Sequence, residues 1–134
     1  MATKILRPYE VGTVNQWSGA GFPSKIDSVD PGDPPVKDES NYVESATDAQ
    51  VQLFKPYKGF SEKMSAVASI TVWAWLDDVT SGSHVYLLLT DSAGTFQSDE
   101  ITVADDPTLY STTRTFMSDG STPWTEDAIR HTAF

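Results

Sequence analysis

The most apolar stretch of this chain, residues 66–90, alternates with the period of a β-strand. Side chains two residues apart lie on the same face of a strand. Within 66–76 every even position is apolar, whereas the odd positions include Trp73 and Trp75. A polar turn then leads into a second apolar run at 84–90. The pattern predicts an antiparallel pair of strands joined by that turn.

The second run is also apolar on both of its faces. Val85, Leu87 and Leu89 form one face, and Tyr86 and Leu88 lie on the other. Because a half-exposed antiparallel pair has one apolar and one polar face, the two runs predict that both faces are covered. The cover is a segment of the same chain, another subunit or a ligand, and the pattern leaves these three open.

Composition narrows the class of protein. A chain of 134 residues is long enough for a single core, and its 4 Trp, 5 Tyr and 6 Phe supply large side chains for that core. No cysteine is present, which excludes disulfides, thiolate metal sites and cysteine nucleophiles. The first residues lack the apolar run of a signal peptide, and no stretch approaches the roughly 20 apolar residues of a membrane span. We therefore expect a soluble protein with no membrane partner.

The formal net charge of −10 argues against a nucleic-acid partner, because binding to phosphates requires Lys and Arg. Residues 1–63 carry seven Lys/Arg and nine Asp/Glu, whereas residues 64–134 carry two and ten. The first nine residues contain Lys4 and Arg7 and no acid. This contrast predicts a weakly basic N-terminal arm, residues 1–11, on an acidic body, with ordinary surface variation as the alternative.

Short runs rich in β-branched and aromatic residues recur along the chain, each followed by Gly, Pro, Asp and Ser. No helical period of useful length is present. The chain is therefore predicted to be an all-β, antiparallel β-sandwich of the jelly-roll kind, with one domain at 12–134 after the arm. The predicted strands are 3–9, 13–17, 25–29, 41–44, 51–54, 67–76, 84–90, 97–103 and 109–116.

One short C-terminal helical turn is predicted within residues 121–130. Thr125 is the expected N-cap, since a threonine hydroxyl accepts a hydrogen bond from a free N–H group of the first turn. Glu126 and Asp127 then lie in the first turn and Arg130 in the last, as the helix dipole favours.

The titratable residues form no recognisable catalytic motif. His84 and His131 are far apart in sequence, and the chain contains no Gly-x-Ser-x-Gly, His-Glu-x-x-His or phosphate-binding glycine loop. Adjacent acids occur at 77–78, 99–100 and 105–106. A glycan hydrolase needs two carboxylates placed across a sugar, whereas acids beside strand ends are usually turn residues. The prediction is a protein that is not an enzyme and needs no cofactor.

A loop at 30–40 combines three prolines with the acids Asp30, Asp33, Asp38 and Glu39. Calcium takes clustered oxygen ligands from flexible loops. The spacing does not match an EF-hand loop, and the prolines restrict how the chain can wrap an ion. We interpret this segment as a surface loop and predict no metal site.

The aromatic residues carry the most functional information. Trp73 and Trp75 are predicted to place two indoles on one sheet face, with Tyr86 and Leu88 beside them across the strand pair. These four residues are the candidate subunit interface, since Trp and Tyr are enriched as interface anchors. The alternatives are a sugar-stacking platform and a face that another part of the same chain buries.

The N-terminal arm is the candidate attachment segment. It combines apolar and basic side chains ahead of Gly12, and it can add as a strand to a neighbour's sheet edge through main-chain hydrogen bonds. It can equally be the first strand of this domain. The candidate capsid-attachment residues are Lys4, Ile5, Leu6, Arg7 and Tyr9.

Taken in order, several segments resemble a small β-sandwich protein common among the structural proteins of tailed bacteriophages. The resemblance covers residues 12–134, and the ordered set of segments carries it rather than any single motif. The part near the C-terminus, Pro123-Trp-Thr-Glu-Asp-Ala-Ile129, is the most specific. The matching segments are Val14–Trp17, Lys25–Val29, Tyr42–Ser45, Ile70–Ala74, Val85–Leu89, Leu109–Tyr110, Phe116 and Pro123–Ile129.

The resemblance implies a virion component, most like a capsid decoration (cement) protein on the outer capsid surface. Such proteins look like jelly rolls, are often homotrimers and bridge neighbouring coat subunits. The implied partners are the major capsid protein and further copies of this chain. A carbohydrate-binding module of a phage tail or head fibre is the alternative, and a glycan hydrolase is the third interpretation.

Overall fold

The computed structural model describes residues 10–17, 44–46, 49–55, 66–78 and 82–134. Over these residues the protein is all-β apart from one short helix, so the predicted all-β class is confirmed. The predicted strands at 3–9 and 25–29, most of that at 41–44 and the loop at 30–40 lie outside the described residues.

The chain divides into two compact units. One comprises residues 1–62 together with 133–134, and the other comprises residues 63–132. The single domain expected at 12–134 stays a prediction. No helix of the described residues has the length and apolar character needed to span a membrane.

The first unit is built on an antiparallel pair, β1 (Glu10–Asn15) with β2 (Gln52–Lys55), whose register shifts between Val11 and Asn15. The backbone of Phe134 exchanges two hydrogen bonds with that of Phe54, at 2.7 and 3.0 Å, and the two rings lie 6.1 Å apart. Phe54 is buried. The C-terminal residue therefore packs against β2 through both backbone and ring.

The second unit contains three antiparallel strand pairs and the helix. β3 pairs with β8, β4 with β7, and β5 with β6. The elements are β3 (Ile70–Leu76), β4 (His84–Val85), β5 (Leu88–Asp91), β6 (Gly94–Gln97), β7 (Ile101–Thr102), β8 (Thr108–Arg114) and α1 (Glu126–Arg130).

The alternation in β3 divides its side chains between two faces as the sequence predicts. Val72 is buried and its even-numbered neighbours in the strand are half-buried, whereas Trp73 and Trp75 are exposed. The expectation that Ala66 and Ala68 belong to the same core face is wrong. Both are exposed, because the strand begins only at Ile70 and the core-facing alternation begins with it.

The predicted pairing of 66–76 with 84–90 is also wrong. β3 pairs along its whole length with β8, and 84–90 divides into β4 and β5. The division occurs where the Leu87 N–H group donates to Ser98 Oγ and the Leu87 carbonyl accepts from the Ser98 N–H group, both at 2.9 Å. Periodicity indicates which face a residue occupies, but it does not specify the partner strand.

The predicted C-terminal helical turn is confirmed as α1 (Glu126–Arg130), with Thr125 as its N-cap. Thr125 Oγ1 accepts a hydrogen bond from the Ala128 N–H group at 3.1 Å. Arg130 Nη2 lies 2.9 Å from Glu126 Oε1, one turn earlier. The first contact caps the N-terminus of the helix, and the second is an ion pair between side chains one turn apart.

The core side of β8 faces the shorter strand pairs. The Tyr110 hydroxyl accepts a hydrogen bond from the Ala104 N–H group at 3.2 Å, just beyond β7. The Arg114 guanidinium lies 4.1 Å from the centre of the Phe96 ring on β6, which is a cation–π contact. Trp124, which is buried, donates its indole N–H to the Arg114 carbonyl at 3.1 Å. The core of the second unit therefore lies between β8, β6 and the segment that leads into α1.

Asp91, at the end of β5, is buried and accepts four hydrogen bonds. Its Oδ1 accepts from the N–H groups of Ala93 (2.9 Å) and Gly94 (3.2 Å) and from Ser118 Oγ (2.6 Å). Its Oδ2 accepts from the Ser118 N–H group at 2.7 Å. One carboxylate therefore closes the β5–β6 turn and holds the segment after β8 against it.

Asp91→Ala is expected to lower the free energy of unfolding by about 3 kcal/mol, because four partly buried donors lose their charged acceptor. Ser118→Ala, which leaves the turn contacts in place, should cost about 1 kcal/mol. Urea denaturation measures both changes. Asp99→Ala, at an exposed acid, is the matched control, and a loss equal to that of Asp91→Ala would contradict the assigned role.

Candidate interaction surface

The outer face of the β3–β8 pair is the candidate interaction surface. Trp73 and Trp75 expose 37% and 38% of their surface there, although most large aromatic side chains are more deeply buried. Across the pair, Ser111 lies opposite Trp73 and Leu109 lies opposite Trp75. At the strand period the two indoles are about 7 Å apart along β3.

This face carries no charge. Its third row is Thr71 opposite Thr113, whose hydroxyl oxygens lie 2.8 Å apart. Three hydroxyl groups therefore lie beside the two indoles and one leucine. The indole-bearing face is defined as Thr71, Trp73, Trp75, Leu109, Ser111 and Thr113.

The structure places Tyr86 and Leu88 away from the position predicted for them. They were expected across a strand pair from Trp73 and Trp75, but those positions belong to β8. Tyr86 lies between β4 and β5 and is 39% exposed, and Leu88 is a half-buried residue of β5 opposite Gln97. The prediction of direct adjacency is therefore wrong, because it assumed a hairpin that does not form.

Tyr86 belongs to a small polar cluster instead. Its hydroxyl donates to Glu100 Oε2 at 2.7 Å, and His84 Nδ1 lies 3.1 Å from Glu100 Oε1. The hydrogen bond to Glu100, followed by desolvation and the negative charge of Glu100, raises the pKa of Tyr86. All three side chains are on the surface. The cluster is a polar contact between the ends of β4 and β7.

Sequence reasoning missed a further exposed aromatic side chain, Phe116, which exposes 41% of its surface. The predicted strand 109–116 included it as a regular strand residue, but β8 ends at Arg114. Phe116 then forms an isolated bridge with Pro123. The Gly and Pro that follow it in the sequence were the available signal that the strand ends early.

Two further acids, Asp78 and Asp119, accept hydrogen bonds from nearby backbone N–H groups. Asp78 Oδ2, after β3, accepts from the N–H group of Ser83, just before β4, at 2.8 Å. Asp119 accepts from the Thr122 hydroxyl and from the N–H groups of Thr122 and Ser121, and these bonds lower the pKa of Asp119 to about 2. Within the described part of the chain, no three His, Asp or Glu side chains come together as a metal site.

The candidate attachment segment lies outside the described residues, so Lys4, Ile5, Leu6, Arg7 and Tyr9 remain predictions from the sequence.

Glu100→Gln is expected to move the pKa of Tyr86 back toward 10.0, because the variant removes the carboxylate that favours the protonated phenol. The raised pKa stabilises the folded protein at pH values below about 10, and this contribution disappears as the pH rises through the pKa of the folded state. NMR titration of the Tyr86 ring measures the shift. Asp99→Asn is the control for a general charge effect, and an equal change in that variant would contradict the specific role of Glu100.

Comparison with protein-family models, with curated proteins and with solved structures finds no match to this chain. What this surface can bind is therefore inferred from the indole-bearing face itself. Two exposed indoles beside hydroxyl groups suit the binding of another surface or of a flat ligand.

Proposed function

We propose that this protein is a virion structural protein, a capsid decoration (cement) protein that binds the outer capsid surface and stabilises the shell. The observation that carries the proposal is the indole-bearing face, where Trp73 and Trp75 lie 37% and 38% exposed among uncharged side chains. Aromatic anchors at an uncharged surface are typical of protein interfaces. The resemblance of residues 12–134 to phage structural proteins supplies the biological setting.

In this proposal the fold is an antiparallel β-sandwich of the jelly-roll kind. The side chains of Tyr110 and Arg114 support it, because they reach from β8 to Ala104 and Phe96 in other strand pairs. Side chains that fill the space between facing strand pairs are what a sandwich core requires.

In the proposed mechanism the free energy of binding to the capsid stabilises the shell, and the protein catalyses no reaction. A protein that binds only the assembled shell stabilises that shell by mass action. Repeated contacts on one particle add to this through avidity. The partners are the major capsid protein and further copies of this chain, with a homotrimer as the oligomer that the resemblance implies.

The charge distribution suggests that contacts between subunits and contacts with the capsid use different parts of the chain. Residues 64–134 carry ten acids and two basic residues, so much of this surface repels other acidic copies. The uncharged indole-bearing face is where copies can approach with least repulsion, and we assign it to subunit contacts. The basic and apolar segment 4–9 is assigned to the capsid.

Deletion of residues 1–9 is expected to abolish binding to shells while leaving the fold and the oligomeric state unchanged, because the deleted segment precedes β1. Co-sedimentation with shells that lack their decoration protein measures the binding, and circular dichroism checks the fold. The control is a segment that keeps its length but replaces Lys4 and Arg7 with Gln, which should weaken binding and make it less sensitive to salt. Full binding by the deleted protein would refute the attachment role.

The double variant Trp73→Ser, Trp75→Ser is expected to yield a folded monomer, because it removes the two anchors of the proposed subunit interface. Light scattering on a sizing column measures the mass. Phe116→Ser is the matched control, since Phe116 is exposed to a similar degree at 41% but lies beyond β8. An unaltered oligomer in the double variant would assign the indoles to a role within one chain.

A carbohydrate-binding module is the second candidate, and the arrangement of the indole-bearing face favours it specifically. Indoles about 7 Å apart along a strand with hydroxyl groups beside them, such as that of Ser111, offer stacking and hydrogen bonding to a sugar. Glycan-dependent changes in tryptophan fluorescence that disappear in the double variant would select this function over subunit contact.

A further inference from the structure

Strand β8 (Thr108–Arg114) has one edge that no strand of the described residues occupies. Its seven residues pair continuously with β3 along the other edge. No backbone hydrogen bond joins Thr108–Thr113 to any other described segment, although the Arg114 carbonyl accepts from Trp124 Nε1. An open edge presents unpaired N–H and C=O groups, which is a template for a further strand.

The composition of β8 leaves this edge unprotected. Proteins usually protect open edges with Lys, Pro, a bulge or a short strand length. Residues 108–113 contain no charge, no proline and no glycine, and their register with β3 has no bulge. The strands of the other pairs in this unit have two or four residues each. β8 is therefore, with its partner β3, one of the two long and regular strands of this unit.

The charges at the two ends of β8 indicate what binds to it. Asp105 and Asp106 are exposed just before the strand. Arg114 ends it, and no carboxylate of the described residues lies within ion-pair distance of its guanidinium, whose Nε is buried without a hydrogen-bond partner. The strand thus has two acids at one end, an incompletely paired cation at the other and no charge between them.

We infer that the free edge of β8 pairs antiparallel with the β8 edge of a second copy across a two-fold axis. With Tyr110 near the axis, Thr108 lies opposite Thr112 of the second copy, and Asp106 comes to the end of the strand that holds Arg114. An antiparallel self-pairing is the arrangement that brings these opposite charges together at both ends. No like charges oppose each other along the strand.

This inference adds a second surface to the self-association in the proposed function, and it does not involve the capsid. A two-fold contact doubles whatever unit the indole-bearing face forms: a monomer becomes a dimer and a trimer becomes a hexamer. The four-stranded sheet β3–β8–β8–β3 that results keeps the indole-bearing faces of both copies on one side.

Site-specific cross-linking tests the pairing, because the natural chain contains no cysteine. Ser111→Cys places a thiol on an exposed position one residue from the proposed axis, and a short bis-maleimide should cross-link it to a second copy. Thr71→Cys is the matched control on the same face of β3. In the paired sheet, residue 71 of one copy lies at least about 14 Å, or three strand spacings, from residue 71 of the other copy, so this variant should not be cross-linked. Equal cross-linking of both variants, or of neither, would overturn the inference.

Amide hydrogen exchange is an independent test, because strand pairing protects backbone amides whereas non-specific proximity of two copies does not. Alternate amides of 108–114 point away from β3, and they should be protected at high protein concentration and lose that protection on dilution. Fast exchange of these amides at every concentration, or protection at every concentration, would overturn the pairing. A chain that fails both tests but still binds shells through residues 1–9 would leave the proposed capsid function in place.

Discussion

The second unit depends on one buried carboxylate. Asp91 accepts N–H groups from its own turn and both the hydroxyl and the N–H group of Ser118, which follows β8. Burying a charged group is unfavourable unless its hydrogen bonds are satisfied, and here four donors surround two oxygens. Gly94 suits this turn because its φ of +145° is a backbone conformation that residues with a side chain rarely adopt. One carboxylate therefore holds the β5–β6 turn and the segment after β8 together.

The position of Ser118 in turn determines how the C-terminal segment packs. Met117, which is buried, donates its N–H group to the Thr122 carbonyl at 2.9 Å, and Trp124 follows with its indole N–H on the Arg114 carbonyl. These contacts lead directly into α1, whose Ile129 is buried. Separate hydrogen bonds thus hold the β5–β6 turn, the end of β8 and the segment before α1, although these are apart in sequence.

Features that depend on neighbouring residues could be predicted from the sequence. The N-cap at Thr125 and the faces of β3 follow from spacing alone, since both repeat with the local geometry of the backbone. The partner of β3 could not be predicted, because pairing with β8 brings together residues as far apart as Ile70 and Arg114. The same limit applies to the candidate site. Exposure of both indoles agrees with two of the three alternatives, a subunit interface and a sugar-stacking platform, whereas the predicted position of Tyr86 depended on a hairpin that does not form.

The exposure of Trp73 and Trp75 follows from the register of β3 with β8. Because the side-chain period of a strand is two, a shift of one residue would bury both indoles and expose Val72. Seven consecutive residue pairs without a bulge oppose that shift, and so does the hydroxyl contact between Thr71 and Thr113. On the core side, the Tyr110 hydroxyl and the Arg114 guanidinium of β8 contact Ala104 and Phe96. The pairing of β3 with β8 therefore keeps Trp73 and Trp75 on the outer face, at 37% and 38% exposure.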